Sequence, residues 1–415
     1  MVVKLLISII FVLANNFFSP LQSFLKWALL IKKQKYVFKK KLIPVIFIFI
    51  FSCNDQDYGK FILKELDEIV VPVNDFALSN PGMISIYDSD SGEHVMIYNH
   101  VINKLQISEF PSGKLKLNIP LEFESEKRTK RFTGGTLIAE DSIFVTFYPP
   151  SLGMINFKGD LTFEQKLPES NYRVSHIGNG SMIPLFKSNG RIYGAQPFLM
   201  DHHRMSKEDV QKQQLVYSVS LEEDGAAWHE VFYSPTYWDE GKKLSYFSWA
   251  KRGDLIYISP FYDHQIQVFD TKTNQVVNVK TVKSSQVDNF NVVNQMPENE
   301  SKSVIATLES GQYETFLYDK YRDVFYRVFL PPYPIEKQYE IEELRLMERS
   351  RPKTGIMVLD ADLNILSEHI FDLFQVHSSD NFLVGKEGLY VSTNNMNSPS
   401  FTDDQMSYVK LKLDQ

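Results

Sequence analysis

"SIFVTFYPPSLGMINFKGDLTFEQKL" (142–167) and "DLIYISPFYDHQIQVFDTKTNQVVNVK" (254–280) are built alike. Each reads as strand, loop, strand, hairpin turn, strand. "FKGDL" and "FDTKTN" fill the same turn slot, where Gly, Asp and Asn accept the φ > 0 conformations that tight hairpins need. Comparable strand openings occur at "HVMIYN" (94–99), "GRIYGA" (190–195), "SVIATL" (303–308) and "GLYVST" (388–393). With Met96, Phe144, Ile192, Ile256, Ile305 and Tyr390 as markers, the intervals are 48, 48, 64, 49 and 85 residues. Four-stranded propeller blades recur at roughly 40–50 residues.

The spacing predicts an all-β chain: a β-propeller of six four-stranded blades over residues 61–415, with room for a seventh in the 85-residue interval. The long intervals hold polar insertions with helical character, "DHHRMSKEDVQKQQ" (201–214) and "EKQYEIEELRLMERSRP" (336–352), and a further hairpin, "GIMVLDADLNIL" (355–366). "KFILKEL" or "EIVVPV" near the start of this domain is expected to complete the last blade beside "YVKLKL" (408–413). Such closure leaves no long free sheet edge. The competing fold is a pair of β-sandwiches, against which the repeated 48-residue spacing argues. The 31 Phe and 21 Tyr favour strands, where flat side chains fit the pleat.

Residues 1–52 are of a different kind. Three lysines (39–41) precede "LIPVIFIFIF" (42–51), Ser52 and Cys53, the only cysteine. A positive segment, a ten-residue apolar run and a small residue before a cut make a secretory signal. The run is too short for a helix that must cross roughly 30 Å of hydrocarbon, which takes about 20 residues. "IFSC" resembles the lipobox of lipoprotein signal peptides, with Ile50 and Ser52 where Leu and Ala or Gly are usual. The resemblance implies a signal peptide over 32–52, a lipid-modified Cys53, and a short tether over 53–60. "NDQD" behind the cysteine resembles the surface-export signal of Bacteroidota-type lipoproteins, which points to the cell envelope and the outer membrane. "LLISIIFVLANNFFSPLQSFLKWALLI" (5–31) has two accounts: a transmembrane helix, or a start placed too far upstream.

Charge narrows the partners. Residues 1–52 carry eight lysines and no Asp or Glu, so the remainder holds 36 basic (44 − 8) against 51 acidic residues, a net charge of −15. Such a body repels a phosphate backbone, and no nucleic acid partner is expected. Membrane attachment falls to the lipid anchor. One cysteine excludes an internal disulfide and any Cys-based zinc cluster.

No catalytic set, metal site or cofactor emerges. "HEVFY" (229–233) has Tyr233 where HExxH needs its second His. "DSDSGE" (88–93) and "DADLN" (360–364) lack the Glu at position twelve of a calcium loop and read as hairpin turns. "GNGSM" (178–182) reads as a turn. The cluster Asp201, His202 and His203 falls in a polar insertion, and His176, His264 and His377 fall near strand ends. Arg131, Arg252, Arg322 and Arg327 fall near blade starts or turns, where a gathering of guanidinium groups could hold a carboxylate or sulfate. "YSPTYWDEGKKLSYFSW" (233–249), with Trp238 and Trp249, is expected to be an exposed aromatic patch suited to sugar or peptide recognition.

"YDKYRDVFYRVFLPP" (318–332), "KTGIMVLDADLNIL" (353–366) and "GLYVSTNNMN" (388–397), with the lipobox, resemble Bacteroidota lipoproteins that carry a six-bladed β-propeller of unknown function. That resemblance covers 58–415 and implies the fold without supplying catalytic residues. The function expected is a membrane-anchored binding or assembly module of the envelope, with an envelope protein or a glycan as partner. The alternative is a propeller hydrolase or lyase acting on a glycan or lactone.

Overall fold

The computed structural model describes residues 61–415, apart from short stretches at 73–78, 124–129, 140, 168–169, 171–173, 175–176, 200–203, 223–224, 294–296 and 415. Cys53, the signal segment, His176 and the cluster at 201–203 lie outside the described residues. Among the described residues no helix is long and apolar enough to cross a membrane.

Among the described residues, twenty-four strands form six antiparallel sheets of four. After β1 (Ile62–Pro72), the first blade is β2 (Ile84–Ser89), β3 (Gly92–Asn99), β4 (Lys104–Glu109) and β5 (Leu115–Pro120). The second is β6 (Arg131–Ala139), β7 (Ser142–Tyr148), β8 (Ser151–Ile155) and β9 (Leu161–Lys166). The third is β10 (Phe186–Ser188), β11 (Arg191–Ala195), β12 (Val216–Ser220) and β13 (Ala226–His229). The fourth is β14 (Phe247–Arg252), β15 (Leu255–Pro260), β16 (Gln265–Asp270) and β17 (Gln275–Thr281). The fifth is β18 (Gln312–Asp319), β19 (Val324–Leu330), β20 (Gly355–Leu359) and β21 (Ile365–Ile370). The sixth is β22 (Phe382–Gly385), β23 (Gly388–Ser392) and β24 (Gln405–Asp414), with β1 as its outermost strand.

That last pairing closes the ring. β1 runs antiparallel to β24 from Ile62↔Asp414 to Pro72↔Gln405, so both candidate N-terminal segments belong to one strand. The turns between first and second, and between third and fourth, strands share one face of the disc, here the hairpin face. In the two turns quoted at the outset, Gly159 (φ 88) and Asn274 (φ 56) take the left-handed conformation their sequences imply. A Cβ on Gly159 would also stand 2.4 Å from the carbonyl oxygen of Pro120, so the position needs glycine twice over.

Between each pair of neighbouring blades lies a separate apolar core. Met96, Leu105, Phe132 and Ile143 join blades one and two. Phe144, Leu152, Ile192 and Tyr217 join two and three. Tyr193, Val216, Trp249 and Ile256 join three and four. Ala250, Ile266, Phe316 and Phe325 join four and five. Val324, Ile356, Leu389 and Val409 join five and six. Val71, Tyr390, Ile84 and Val95 join six to one. Each sheet is buried on both faces, which is why its middle strands read as near-continuous apolar runs.

One marker is corrected. "SVIATL" is not a strand but part of α2 (Glu300–Leu308), after the short α1 (Lys207–Val210) in the first insertion. Asn299 caps it, accepting the Lys302 backbone N–H at 2.9 Å, with Glu300 in the first turn. Val304 and Leu308, four residues apart, bury against Leu344 and Met347 of α3 (Ile341–Arg349), the second insertion. Partner burial overrides the β-branched composition. The second strand of the fifth blade is β19, so a marker at Phe325 replaces Ile305. The last two intervals become 69 (325 − 256) and 65 (390 − 325) residues, and no seventh blade remains.

The closure makes a local prediction. Leu63 is 3% exposed and its neighbour Ile62 is 68% exposed on the same strand. Leu63→Ala should cost about 2–4 kcal/mol in urea unfolding and Ile62→Ala less than about 0.5. Equal effects would mean that β1 does not seal the sixth blade.

Candidate functional site

The six first strands surround the axis and line a channel pocket of about 340 Å³. Its wall is mainly apolar: Met83, Ile84, Leu137, Phe186, Trp249, Phe316 and Leu383 among others. It reaches the hairpin face at Tyr87, Lys251, Tyr318, Lys320 and Tyr321, the last two in the turn between β18 and β19.

Four aspartates around this mouth already have cations. Asp88 pairs with Lys386 at 2.7 Å, and Asp254 with Lys272 at 2.8 Å. Asp319, fully buried, pairs with Arg322 at 2.5 Å and accepts from the Tyr326 hydroxyl at 3.0 Å. Asp323 accepts Arg252 through Nε (2.6 Å) and Nη2 (2.8 Å), and the Tyr318 hydroxyl at 2.7 Å. These bonds hold the Asp323 carboxyl down at about 2. Glu93 accepts the Lys386 backbone N–H at 2.8 Å. Lys251, half-buried, and Lys320, exposed, make no ion pair among the described residues. The Lys320 ammonium stands 4.9 Å from the centre of the Tyr321 ring.

Towards the opposite face lies a second polar group. A bulge in β18 between Tyr313 and Phe316 carries Glu314, and Asp380 sits two residues before β22 with φ 59. Burial pushes the Asp380 carboxyl up to about 7. Burial, then the charge on Asp380, pushes Glu314 up to about 8. Ser379 hydrogen-bonds to both. Arg351 lies near enough for Glu314 to bear on its charge, and it donates to the carbonyls of Thr307 (2.6 Å), Leu308 (2.9 Å) and Ser310 (2.7 Å). Among the described residues no three His, Cys, Asp or Glu gather closely enough to hold a metal ion.

The arginines singled out in the sequence separate. Arg252 and Arg322 meet on the hairpin face at the turn 319–323. Arg131 is exposed at the start of β6, on the opposite face, beside Tyr98, His100 and Lys130. Arg327 is fully buried between blades four and five. It donates to the carbonyls of Val282 (2.7 Å), Asp263 (2.8 Å), Pro260 (3.3 Å) and His264 (3.4 Å), and stacks 3.4 Å from the Tyr313 ring centre. Burial pulls its guanidinium down to about 10.

The aromatic stretch is not an exposed patch. Tyr233, Tyr237, Trp238 and Trp249 are buried, and Tyr246 alone of its tyrosines and tryptophans is exposed. Their rings fill the core between blades three and four, and the indole N–H groups reach carbonyls: Trp238 to Lys243 (3.0 Å), Trp249 to Pro184 (2.8 Å). Trp249 still forms part of the channel wall. His264 and His377 are structural in their contacts, to the Tyr313 hydroxyl (2.7 Å) and the Ser379 carbonyl (2.8 Å). Sequence reasoning missed Lys251, Lys320, Tyr321, Glu314 and Asp380. The signal available for the first was "WAKRGD", where Lys251 shares a strand face with Trp249.

The family described as a domain of unknown function, DUF4221, matches residues 60–370. The chain is similar to a crystal structure of a DUF4221 family member from Bacteroides vulgatus, with 20% identity and a TM-score of 0.73 over 86% of this chain and 99% of that one. A candidate exported protein of Bacteroides fragilis aligns with 10% identity and a TM-score of 0.47, over 85% and 95% of the two chains. No curated protein matches.

Two predictions follow from these side chains. Arg327→Ala strands four buried carbonyls and should cost on the order of 3–5 kcal/mol, whereas Arg252→Ala removes an exposed pair and should cost less than about 1 kcal/mol. Denaturant unfolding of both variants separates them, and equal losses would contradict the burial of Arg327.

The second concerns pH. Groups whose folded pKa is raised contribute stability below their unfolded pKa and lose it as pH climbs through the folded value. His229 and His264, lowered to about 4 mainly by burial, and His377, lowered by burial, act oppositely, but their contribution is complete above about 6.5. Between pH 6.5 and 8 the protein should therefore lose stability, because the folded state holds protons on Glu314 and Asp380 that the unfolded chain has released, at up to about 1.4 kcal/mol per pH unit for each until its folded pKa is passed. Glu314→Gln should flatten that decline; a slope unchanged by the substitution would refute the assignment.

Proposed function

We propose, given that this chain belongs to the DUF4221 family, that it is a lipid-anchored binding module of the cell envelope whose ligand enters the channel on the hairpin face. The observation that carries this is the mouth itself: a concave apolar pocket rimmed by Tyr87, Tyr318, Tyr321, Lys251 and Lys320. Few polar groups above an apolar wall is the usual composition of a ligand site. Export and anchoring rest on the signal over 32–52 and on Cys53 as the acylated residue, and the acidic stretch NDQD behind it supports the outer membrane as the location. Several acyl chains at about 0.8 kcal/mol per buried CH₂ would hold it there. An envelope protein or a glycan is the partner class.

An enzyme reading, a hydrolase or lyase on a glycan or lactone, draws on Glu314 and Asp380, a pair that holds protons near neutral pH. Glu314 is only 6% exposed, which weighs against its reaching a substrate.

The site reading is tested by binding from an envelope extract to the wild type and to Leu137→Arg, which sets a charge in the apolar wall. The expected result is a ligand retained by the wild type and lost by the variant at unchanged Tm. Equal retention by both, or turnover of a glycan or lactone panel, would overturn it. Anchoring is tested separately: Cys53→Ala should move the protein from the membrane to the soluble fraction. Persistent membrane association would favour a spanning helix in 5–31.

A further inference from the structure

We infer that the channel mouth selects a small organic carboxylate with an apolar, aryl-sized body, the carboxylate meeting Lys251 and Lys320 and the body entering beside the half-buried Leu137, Phe186 and Leu317. This rests on the mouth being the binding site and adds the chemical class of its ligand.

Charge balance is the first argument. Asp88, Asp254, Asp319 and Asp323 each have their own cation in Lys386, Lys272, Arg322 and Arg252. Lys251 and Lys320 are left over at the pocket rim against one carboxylate there without a cation of its own, Glu93, which accepts the Lys386 backbone N–H, in a body whose net charge is −15. A local positive surplus against that background attracts an anion that the rest of the surface repels. Lys251 also acts on Asp254, but that carboxylate is already held by Lys272 at 2.8 Å.

The second argument is the type of cation. Two ammonium groups are point charges without the planar fork that grips phosphate or sulfate in a bidentate way, and the two guanidinium groups nearby are committed to Asp319 and Asp323. A carboxylate can be met by point charges of this kind without a bidentate fork. The wall supplies the third argument. Ile86, Leu137, Phe186, Leu317 and Val384 offer no hydrogen-bonding side chain, and of the hydroxyls that interrupt them those of Thr136 and Ser181 are already donated to Asn179 and to the Ile84 carbonyl. A sugar ring pressed there would lose water from its hydroxyls without replacement, at a cost that an aryl or alkyl body does not meet. The volume, about 340 Å³, lies at the small end of ligand sites.

The test compares ligands of one shape and different charge on the full chain in detergent micelles. Phenylacetate, phenylacetamide, phenethylamine and glucuronate are titrated by calorimetry, with intrinsic tryptophan fluorescence, to which Trp249 in the pocket wall contributes, as a second readout. Phenylacetate should bind at least tenfold more tightly than phenylacetamide, and phenethylamine more weakly than both. The preference should shrink as salt rises, and Lys251→Met/Lys320→Met should bring the acid and the amide level. Equal binding of acid and amide by the wild type overturns the anion inference while leaving the mouth as a binding site. Tightest binding of the amine does the same. Glucuronate binding as well as phenylacetate overturns the apolar body and points to an acidic glycan. Absence of binding by all four overturns the ligand class; the site reading then stands or falls on Leu137→Arg with envelope extract.

Discussion

The ring depends on the pairing of β1 with β24. Without it the sixth sheet has three strands and an outer edge of unpaired N–H and C=O groups on β24. The two strands come from opposite ends of the domain, so their pairing closes a loop of more than 330 residues (405 − 72 = 333). Closing so long a loop is entropically costly, but the cost grows only logarithmically with length. Nine residue pairs, with Leu63 and Val71 buried beneath them, repay it. Val71 lies in the core between blades six and one, and Leu63 in the core between five and six. A single strand therefore ties its own blade into both neighbours.

Face-to-face burial of the sheets then dictates where polar groups can go. Fully buried polar side chains occur where they cap carbonyls that the strand ladders leave free. Arg327 serves the loop at 260–264 and Val282, and Arg351 serves the last carbonyls of α2. These guanidinium groups occupy positions a sequence reader takes for anion sites, because a buried arginine at a strand and a ligand arginine at a strand have the same local pattern. What separates them is the neighbouring blade, roughly 45–65 residues away in sequence for Arg327.

The parts legible in the sequence are those set by local chemistry. "FKGDL" and "FDTKTN" announce their turns through Gly159 and Asn274, and "DSDSGE" and "DADLN" do so through Gly92 and Leu363, both with φ > 0. Alternation and spacing gave the blades, and the apolar end strands gave the closure. "SVIATL" failed because its β-branched residues favour a strand while its burial against α3 comes from a segment some 40 residues later. The aromatic stretch 233–249 failed for a related reason. Aromatic rings suit an exposed recognition patch and an interblade core equally, and only the packing of Tyr233 on Tyr237 and of Phe247 on Trp249 decides. The mouth was the least legible element. It draws Tyr87, Lys251 and Lys320 from three blades, and no local pattern brings those positions together.

Rigidity and recognition are divided along the axis for a physical reason. Inside the disc every first strand is wedged between neighbours, as where the Ser248 hydroxyl accepts the Phe316 backbone N–H at 2.9 Å and donates to Met182 at 2.7 Å, linking three blades. Substitution there disturbs two interfaces at once. The hairpin turns carry less of that burden, held by their own turn residues and by exposed pairs between blades such as Arg252–Asp323 and Lys386–Asp88. Lys320 and Tyr321 sit in a turn fixed by Asp319, whose carboxylate accepts the backbone N–H of Tyr321 (2.9 Å) and Arg322 (3.1 Å). The buried aspartate thus holds the backbone while leaving the adjacent lysine and tyrosine at the rim. A preorganised backbone with unspent side chains lowers the ordering cost of binding, and it lets the rim change its chemistry without loosening the ring beneath it.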